Sequence, residues 1–169
     1  SVVKPGLNDQ PCCAEHLEEQ VLPTRAMRQT FVVSHSAQRS TGAPEHDIYR
    51  IMAGSGGAYV TTSLPAPDDG FGLLPGEFHQ LMSDTGFTVQ ADQPIHVAQY
   101  LIAGEDLPAG QTGDSSMIYV MPVEQRRQEY TFTTGEGFSS NWVVVSMVDG
   151  TTTLLDGVEL NTAGCEGPH

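Results

Sequence analysis

The spacing of glycine and proline limits this chain to short secondary-structure elements. Its 169 residues include 18 glycines and 11 prolines, and the apolar runs between them are rich in Thr, Val, Tyr and Phe. Both features favour short β-strands joined by turns over helices. A chain of this length buries about 70% of the surface of its unfolded form, so a sizeable core is expected without a structural metal.

Roughly eleven short segments have the composition of strands. Glycine-rich GSGG at residues 54–57 has the turn chemistry of a hairpin, Asp92-Gln93-Pro94 is predicted to turn the chain, and Asp156-Gly157 is typical of a two-residue hairpin turn. The predicted strands are residues 29–34, 47–53, 58–63, 76–83, 86–91, 95–103, 116–121, 129–134 and 141–148, and a hairpin at 151–160, with loops at 64–72 and 104–114.

Two of these segments, IHVAQYLIA (95–103) and NWVVVSMV (141–148), are apolar on both faces. Strands of this kind are expected between two layers. The sequence therefore predicts an all-β fold, an antiparallel β-sandwich with little helix.

A short internal echo indicates two abutting, related β-units. Leu22-Pro23, followed by Arg28-Gln29-Thr30-Phe31, recurs 99 positions later as Met121-Pro122, followed by Arg127-Gln128-Glu129-Tyr130. Each copy continues into a strand-like run, a polar loop, an apolar strand and a Thr-rich hairpin. Chance resemblance is the alternative, because few positions match.

Net charge and hydropathy exclude two classes of partner. The formal charge is −14 at pH 7, and such a surface repels nucleic acid and anionic lipid. No apolar stretch approaches the ~20 residues of a membrane-spanning helix. The expected partner is an extracellular protein or glycan, besides the rest of a larger parent chain.

The three cysteines indicate a disulfide that joins the two ends of the chain. No CxxC pair or nearby histidine cluster supports a zinc site. Pairing of Cys13 with Cys165 is favoured, and Cys12 remains the alternative to Cys13. A loop this long contributes about 5 kcal/mol in the chain-entropy description.

Calcium is the only ion that the sequence favours, although no cofactor is required. Asp68 and Asp69 in one loop, and Glu105, Asp106 and Asp114 in another, offer hard oxygen ligands. Neither loop has the spaced acidic pattern of an EF-hand, so solvated turn residues are the alternative. These loops are also the predicted contact surfaces.

No catalytic signature is present among the six histidines. His96 lies inside the apolar segment 95–103, where a hydrogen-bonded core histidine is expected. The paired carboxylates that a glycosidase requires have no aromatic-lined cleft around them, since Trp142 is the only tryptophan.

Taken together, several segments resemble the IgGFc-binding protein N-terminal domain family. The resemblance implies a β-rich extracellular module without catalytic residues, like the exported bacterial members, and matching the later part of the family domain. The antibody-binding property of one animal branch is not carried over. The matching segments, in the family's order, are residues 13–20 (CAEHLEEQ), 47–51 (DIYRI), 89–100 (VQADQPIHVAQY), 113–117 (GDSSM), 120–132 (VMPVEQRRQEYTF) and 153–158 (TLLDGV).

The sequence thus predicts a linker from an upstream part of a parent protein at residues 1–12, a β-sandwich module at 13–165 and a tail at 166–169. The predicted function is non-catalytic binding or adhesion outside the cell, as part of a surface or secreted protein. Two alternatives remain, a structural spacer of an extracellular assembly and a secreted carbohydrate-active hydrolase.

Overall fold

A computed structural model describes residues 17–20, 22–39, 44–104, 113–138 and 141–161. Within these ranges the chain forms nine strands and two 3₁₀ turns, and no helix there is long and apolar enough to cross a membrane. The all-β prediction is confirmed. The elements are η1 (Thr24–Ala26), β1 (Arg28–Val33), β2 (Asp47–Ala53), β3 (Ala58–Thr62), β4 (Gly70–Leu73), β5 (Phe78–Ser83), β6 (Phe87–Leu101), β7 (Ser116–Tyr119), η2 (Val123–Gln125), β8 (Leu154–Leu155) and β9 (Val158–Glu159).

Strand β6 is the centre of an antiparallel seven-stranded sheet. Its first half pairs with β1 and β3, and its second half pairs with β2 and β7. Ile95, near the middle, pairs with Arg28 of β1 and with Ala53 of β2, which places β1 and β2 on opposite edges. Consequently β2 and β3 follow one another along one edge of β6, and β1 and β7 follow one another along the other.

The GSGG run therefore does not form the predicted hairpin. It joins two strands that continue in the same direction along one edge of β6. Strands β4 and β5 repeat this arrangement one position further out, β4 beside β3 and β5 beside β2. Strand β4 is not among the predicted strands, because its residues GFGL lie largely within the segment 64–72, which is predicted to be a loop.

Strand β6 bends at Asp92 and Pro94, where the sheet has a crease. The Asp92 carboxylate accepts a hydrogen bond from the Tyr59 amide at 2.7 Å, and its carbonyl accepts one from Gln29 Nε2 at 2.7 Å. Pro94 has no N–H to donate, and its carbonyl accepts a bond from the Gly54 amide at 3.3 Å. The predicted turn is therefore a bend inside one strand of 15 residues, which replaces two predicted strands.

The sheet curls back on itself at this crease. Ser83 ends β5 and pairs with Asp47 at one end of the sheet. Phe87 begins β6 and pairs with Val33 at the opposite end. Only three residues separate Ser83 from Phe87, so their Cα atoms are at most about 15 Å apart. A straight β6 would span about 50 Å.

The two halves of the sheet consequently face each other as the layers of a sandwich. The first layer contains β1, β3, β4 and the first half of β6, and the second contains β2, β5, β7 and the second half of β6. A single apolar cluster fills the space between them. Its buried members are Phe31, Val33, Tyr49, Ile51, Ala53, Val60, Leu73, Leu81, Phe87, Val89, Ile95 and Val97.

The second layer is also covered on its outer face. Ile48, Ala98, Tyr100 and Ile102 form a smaller cluster there, against which Leu17 packs. The second half of β6 is therefore buried on both faces, as the apolar character of IHVAQYLIA predicts.

His96 lies on this outer face and is a buried core histidine, as predicted. Only 6% of it is exposed, and its ring centroid lies 5.6 Å from that of Tyr119. Burial lowers the pKa of His96, and a hydrogen bond to the backbone of Leu22 partly opposes this effect. The unfolded chain, whose histidine has a pKa of about 6.5, therefore binds a proton more readily than the folded protein.

We expect the free energy of unfolding to fall as the pH drops below the unfolded value. The loss is at most about 1.4 kcal/mol per pH unit, because one proton is taken up on unfolding. Urea denaturation at pH 7.5 and 5.5 should show a smaller loss for His96→Gln than for the wild type. His46→Gln, in the loop before β2, is the control for removing a histidine. Equal losses in all three proteins would contradict the assignment.

The described residues after η2 do not join the sandwich. Residues 127–138 and 141–148 contain no helix and pair with no strand among the described residues, and β8 and β9 form a separate hairpin. The strands predicted at 129–134 and 141–148 are therefore wrong. So is the predicted burial of NWVVVSMV, since Trp142 is 68% exposed and Val148 is 76% exposed.

Candidate functional site

A shallow groove of about 510 Å³ opens at the crease of the sheet. Tyr59 on β3 and Leu74 after β4 flank it, with 55% and 71% of their surfaces exposed. Asp92 and Gln93, from the bend of β6, also contribute to its lining. The groove thus presents two large apolar side chains beside polar groups on a framework of paired strands.

Glycine residues keep this groove open. Gly72 pairs with Tyr59 across β3 and β4, so a side chain at Gly72 would lie on the same face as the tyrosine ring. A Cβ atom added to Gly72 would meet nothing within 4 Å. Gly57 has a positive φ of 71°, and a Cβ there would come within 2.8 Å of the Leu73 carbonyl oxygen, so this position requires glycine.

A buried cluster of polar side chains lies at the start of β2, at the opposite end of this strand from the groove. The Asp47 carboxylate, 1% exposed, accepts hydrogen bonds at 2.7 Å from the Ser36 amide and from Gln99 Nε2. The Tyr49 hydroxyl donates to the same oxygen at 3.4 Å. Burial and the adjacent Asp47 carboxylate raise the pKa of Tyr49. This cluster fixes the loop between β1 and β2, and its role is structural.

Neighbouring polar contacts secure the same loop. Arg39 Nε donates to the buried Glu45 carboxylate at 3.1 Å, and Arg39 Nη2 donates to the Ile102 carbonyl at 2.9 Å. His35 Nε2 lies 2.6 Å from the Glu45 carbonyl oxygen. The loop is thus attached through Arg39 to Ile102, the residue that follows β6.

Three of the acidic residues predicted as contact or calcium ligands are among the described residues, and they lie in two separate places. Asp68 lies 2.7 Å from His79 Nε2, and Asp69 is exposed beside it, near the start of β6. Asp114 is exposed next to β7, which pairs with the end of β6. Glu105 and Asp106 lie outside the described residues.

The cysteine and calcium predictions stay predictions. Cys12, Cys13 and Cys165 also lie outside the described residues. In the part of the chain that the structure covers, no three His, Cys, Asp or Glu side chains are close enough to share a metal ion.

The histidines with clear partners serve separate parts of the fold. His79 pairs with Ile51 on the inner face of the sheet and stacks on Phe71, with ring centroids 4.1 Å apart. His96 pairs with Met52 on the opposite face. These two side chains therefore cannot act in one reaction centre.

Sequence reasoning did not identify the crease groove. The sequence marks the glycines of GSGG and of GFG only as turn and loop residues, although Gly56, Gly57 and Gly72 line the groove. Three interruptions of the strand pattern could have indicated the groove, because they lie side by side once the strands are paired. They are Asp92-Gln93-Pro94, GSGG and Leu74-Pro75.

Comparisons with known proteins give one match. Residues 5–167, nearly the whole chain, match the family described as IgGFc binding protein. No curated protein and no solved structure matches. The order of segments around β2, β6 and β7 that resembled this family therefore reflects membership, and the chain belongs to the IgGFc binding protein family.

Proposed function

We propose that this protein is a non-catalytic binding module that acts outside the cell, within a surface or secreted protein, and holds a protein partner in the crease groove. The observation that carries the proposal is the pair of exposed side chains, Tyr59 and Leu74, on either side of a glycine-lined groove. Tyrosine is enriched at the centres of protein interfaces because it buries a large area and keeps a polar tip.

The framework of the groove supports this role. The backbone of Tyr59 is held by the bond from its amide to the Asp92 carboxylate, which lowers the entropy that the strand loses on binding. Membership in a family described by a binding activity agrees with a binding module. With a net charge of −14, the protein attracts partners that carry basic groups near the contact.

The groove is tested by pull-down with the purified protein from extracts of secreted and surface proteins. A purified IgG Fc fragment serves as a defined probe, because the family description names it. Tyr59→Ala removes a flanking ring, and Gly72→Leu adds a large side chain at a position in the groove where a Cβ meets no atom within 4 Å. We expect each variant to reduce capture by about tenfold or more, the usual effect of losing a central interface side chain.

Ser116→Leu is the matched control, since it adds the same side chain to an exposed strand position at the far end of β6. Its capture should equal that of the wild type. Unchanged capture by Tyr59→Ala and Gly72→Leu would contradict the proposal. Loss of capture on calcium chelation, or in Asp68→Ala and Asp114→Ala, would assign binding to the acidic loops instead.

A further inference from the structure

The crease groove contains one charged side chain, the carboxylate of Asp92. Among the described residues that line the groove, Asp92 is the only carboxylate and none is basic. Asp92 is exposed, and its Oδ1 atom accepts the bond from the Tyr59 amide at 2.7 Å. Within the described part of the chain, its Oδ2 atom has neither a hydrogen bond nor an ion pair. The groove therefore holds a negative charge that the described fold leaves uncompensated.

Asp92 and Tyr59 lie next to each other on the outer face of the first layer. Val60 pairs with Ala91 and is buried between the layers. Continuing this antiparallel register by one residue places Tyr59 opposite Asp92, on the other face of the sheet. The Cβ atoms of directly opposite residues are about 5 Å apart. A group that contacts the Tyr59 ring can therefore also reach the Asp92 carboxylate.

The two glycines of β4 on this face leave the Tyr59 ring accessible. The hydroxyl end of the ring lies against Gly70, where an added Cβ would come within 3.0 Å of the hydroxyl oxygen. At Gly72, which pairs with Tyr59, an added Cβ would meet nothing within 4 Å. No side chain of β4 covers the ring on this face, and Tyr59 is 55% exposed. An exposed aromatic face attracts cations through its electron distribution.

The second layer shows how a guanidinium group binds in this protein. The guanidinium carbon of Arg50 lies 5.1 Å from the ring centroids of both Phe78 and Tyr100. Its Nε atom donates to the side-chain oxygen of Gln80 at 3.0 Å. The groove offers the same kinds of group, an exposed ring and the side-chain amide of Gln93, which has no hydrogen-bond partner among the described residues. It adds a carboxylate, which the Arg50 site lacks.

The chain itself has few bases that could fill the groove. Its seven lysines and arginines stand against 21 aspartates and glutamates. All of the arginines are within the described ranges, and none of them lines the groove. Lys4 is the only lysine or arginine outside the described residues. A cation in the groove therefore comes from a partner unless Lys4 supplies it, and the experiment includes this lysine.

We propose that the crease groove binds an arginine side chain of the partner protein, a refinement that rests on the proposed function of the groove. The guanidinium group stacks on the ring of Tyr59 and donates hydrogen bonds to Asp92 Oδ2 and to the amide oxygen of Gln93. Arginine fits these groups better than lysine does. Its planar group stacks on a ring while its N–H donors remain available in the plane.

The probe is N-acetyl-arginine methylamide, titrated into nitrogen-15-labelled protein at pH 7.5 and constant ionic strength. The titration extends to about 50 mM, because a single side chain binds in the millimolar range or more weakly. We expect saturable shifts of the amide signals of Tyr59, Gly72 and Gln93. The citrulline analogue has nearly the same shape but no charge, and it should bind at least about threefold more weakly.

Asp92→Asn is the variant that tests the charge. Its side-chain oxygen can still accept the bond from the Tyr59 amide, so the groove keeps its shape. Affinity for the arginine probe should fall about two- to fivefold, the effect of losing an exposed ion pair. Affinity for the citrulline probe should not change. Asp84→Asn, in the exposed turn before β6, removes the same charge elsewhere and should bind both probes as the wild type does.

Three results would overturn the proposal. The first is equal binding of the two probes, or equal binding of the arginine probe by the wild type and Asp92→Asn. The second is tighter binding of methyl α-glucoside than of the arginine probe, because the groove would then be a glycan site. The third is a shift of the same amide signals in Lys4→Gln without any probe, because the chain's own lysine would then occupy the groove.

These results are separable from the test of the groove itself. Capture that is lost in Tyr59→Ala and Gly72→Leu but kept in Asp92→Asn would retain the groove as the binding site and remove only the arginine. Capture that is kept in all three variants would remove the proposed function as well.

Discussion

Replacing Asp47 with alanine should lower the free energy of unfolding by about 3–5 kcal/mol, since each hydrogen bond to a charged group contributes about 1.5–3 kcal/mol. The Asp47 carboxylate is 1% exposed and accepts two bonds of 2.7 Å, from the Ser36 amide and from Gln99 Nε2. Alanine removes the acceptor of the Ser36 amide and leaves an empty space beside Gln99 and the Tyr49 hydroxyl. Urea denaturation followed by circular dichroism measures the loss.

The variant Asp47→Asn tests whether the charge of the Asp47 side chain or only its shape stabilises the protein. All three donors, the Ser36 amide, Gln99 Nε2 and the Tyr49 hydroxyl, bond the same oxygen of Asp47, and the amide oxygen of asparagine can take its place. Because the bonds are kept but lose their charge, we expect a loss clearly smaller than that of Asp47→Ala. Asp149→Ala, in an exposed turn, is the control and should change stability by no more than about 0.5 kcal/mol. A loss of that small size for Asp47→Ala would contradict the structural role of the buried cluster.

The composition of a segment shows whether it is suited to a buried strand, but not whether other strands lie beside it to bury it. IHVAQYLIA and NWVVVSMV have the same two-sided apolar composition, and both predict a position between layers. The first is buried because β2 and β7 pair with its edges and Leu17 covers its outer face. The second meets no strand in the described part of the chain, so the same composition is exposed.

The turn residues were located correctly in the sequence, but each group was expected to reverse the chain at its own position. GSGG and Asp92-Gln93-Pro94 both interrupt regular pairing, as predicted. Whether such a break reverses the chain or only bends it depends on which groups satisfy the freed backbone. Here the Asp92 carboxylate and the Pro94 carbonyl accept bonds from Tyr59 and Gly54 on the adjacent edge. The strand therefore continues through a crease.

The residues that matter most for the site and for stability depend on distant contacts. Asp47 begins a predicted strand, and nothing local marks it as buried. Its donors lie 11 and 52 positions away, so only the folded arrangement of β1, β2 and β6 reveals them. The groove beside Tyr59 likewise requires three separate breaks to align, and single-sequence patterns do not contain that alignment.

Phe87→Ala should destabilise the protein by about 3–5 kcal/mol, the usual effect of removing a fully buried phenylalanine. Phe87 starts β6 in the first layer, has no exposed surface, and meets Tyr49 of the second layer edge-to-face, with centroids 4.9 Å apart and an interplanar angle of 89°. Its removal leaves a cavity between the layers and deletes an aromatic pair worth about 1 kcal/mol beyond its area.

Phe78→Ala is the matched control for this prediction, because it removes the same side chain from an outer, 52% exposed position. The ring of Phe78 contacts Arg50, with 5.1 Å between the guanidinium carbon and the ring centroid. Such an exposed contact contributes about 0.5–1 kcal/mol. The difference between the two variants measures how strongly the folded-back sheet is held closed, and equal losses in denaturant titration would show that the layers do not depend on this contact.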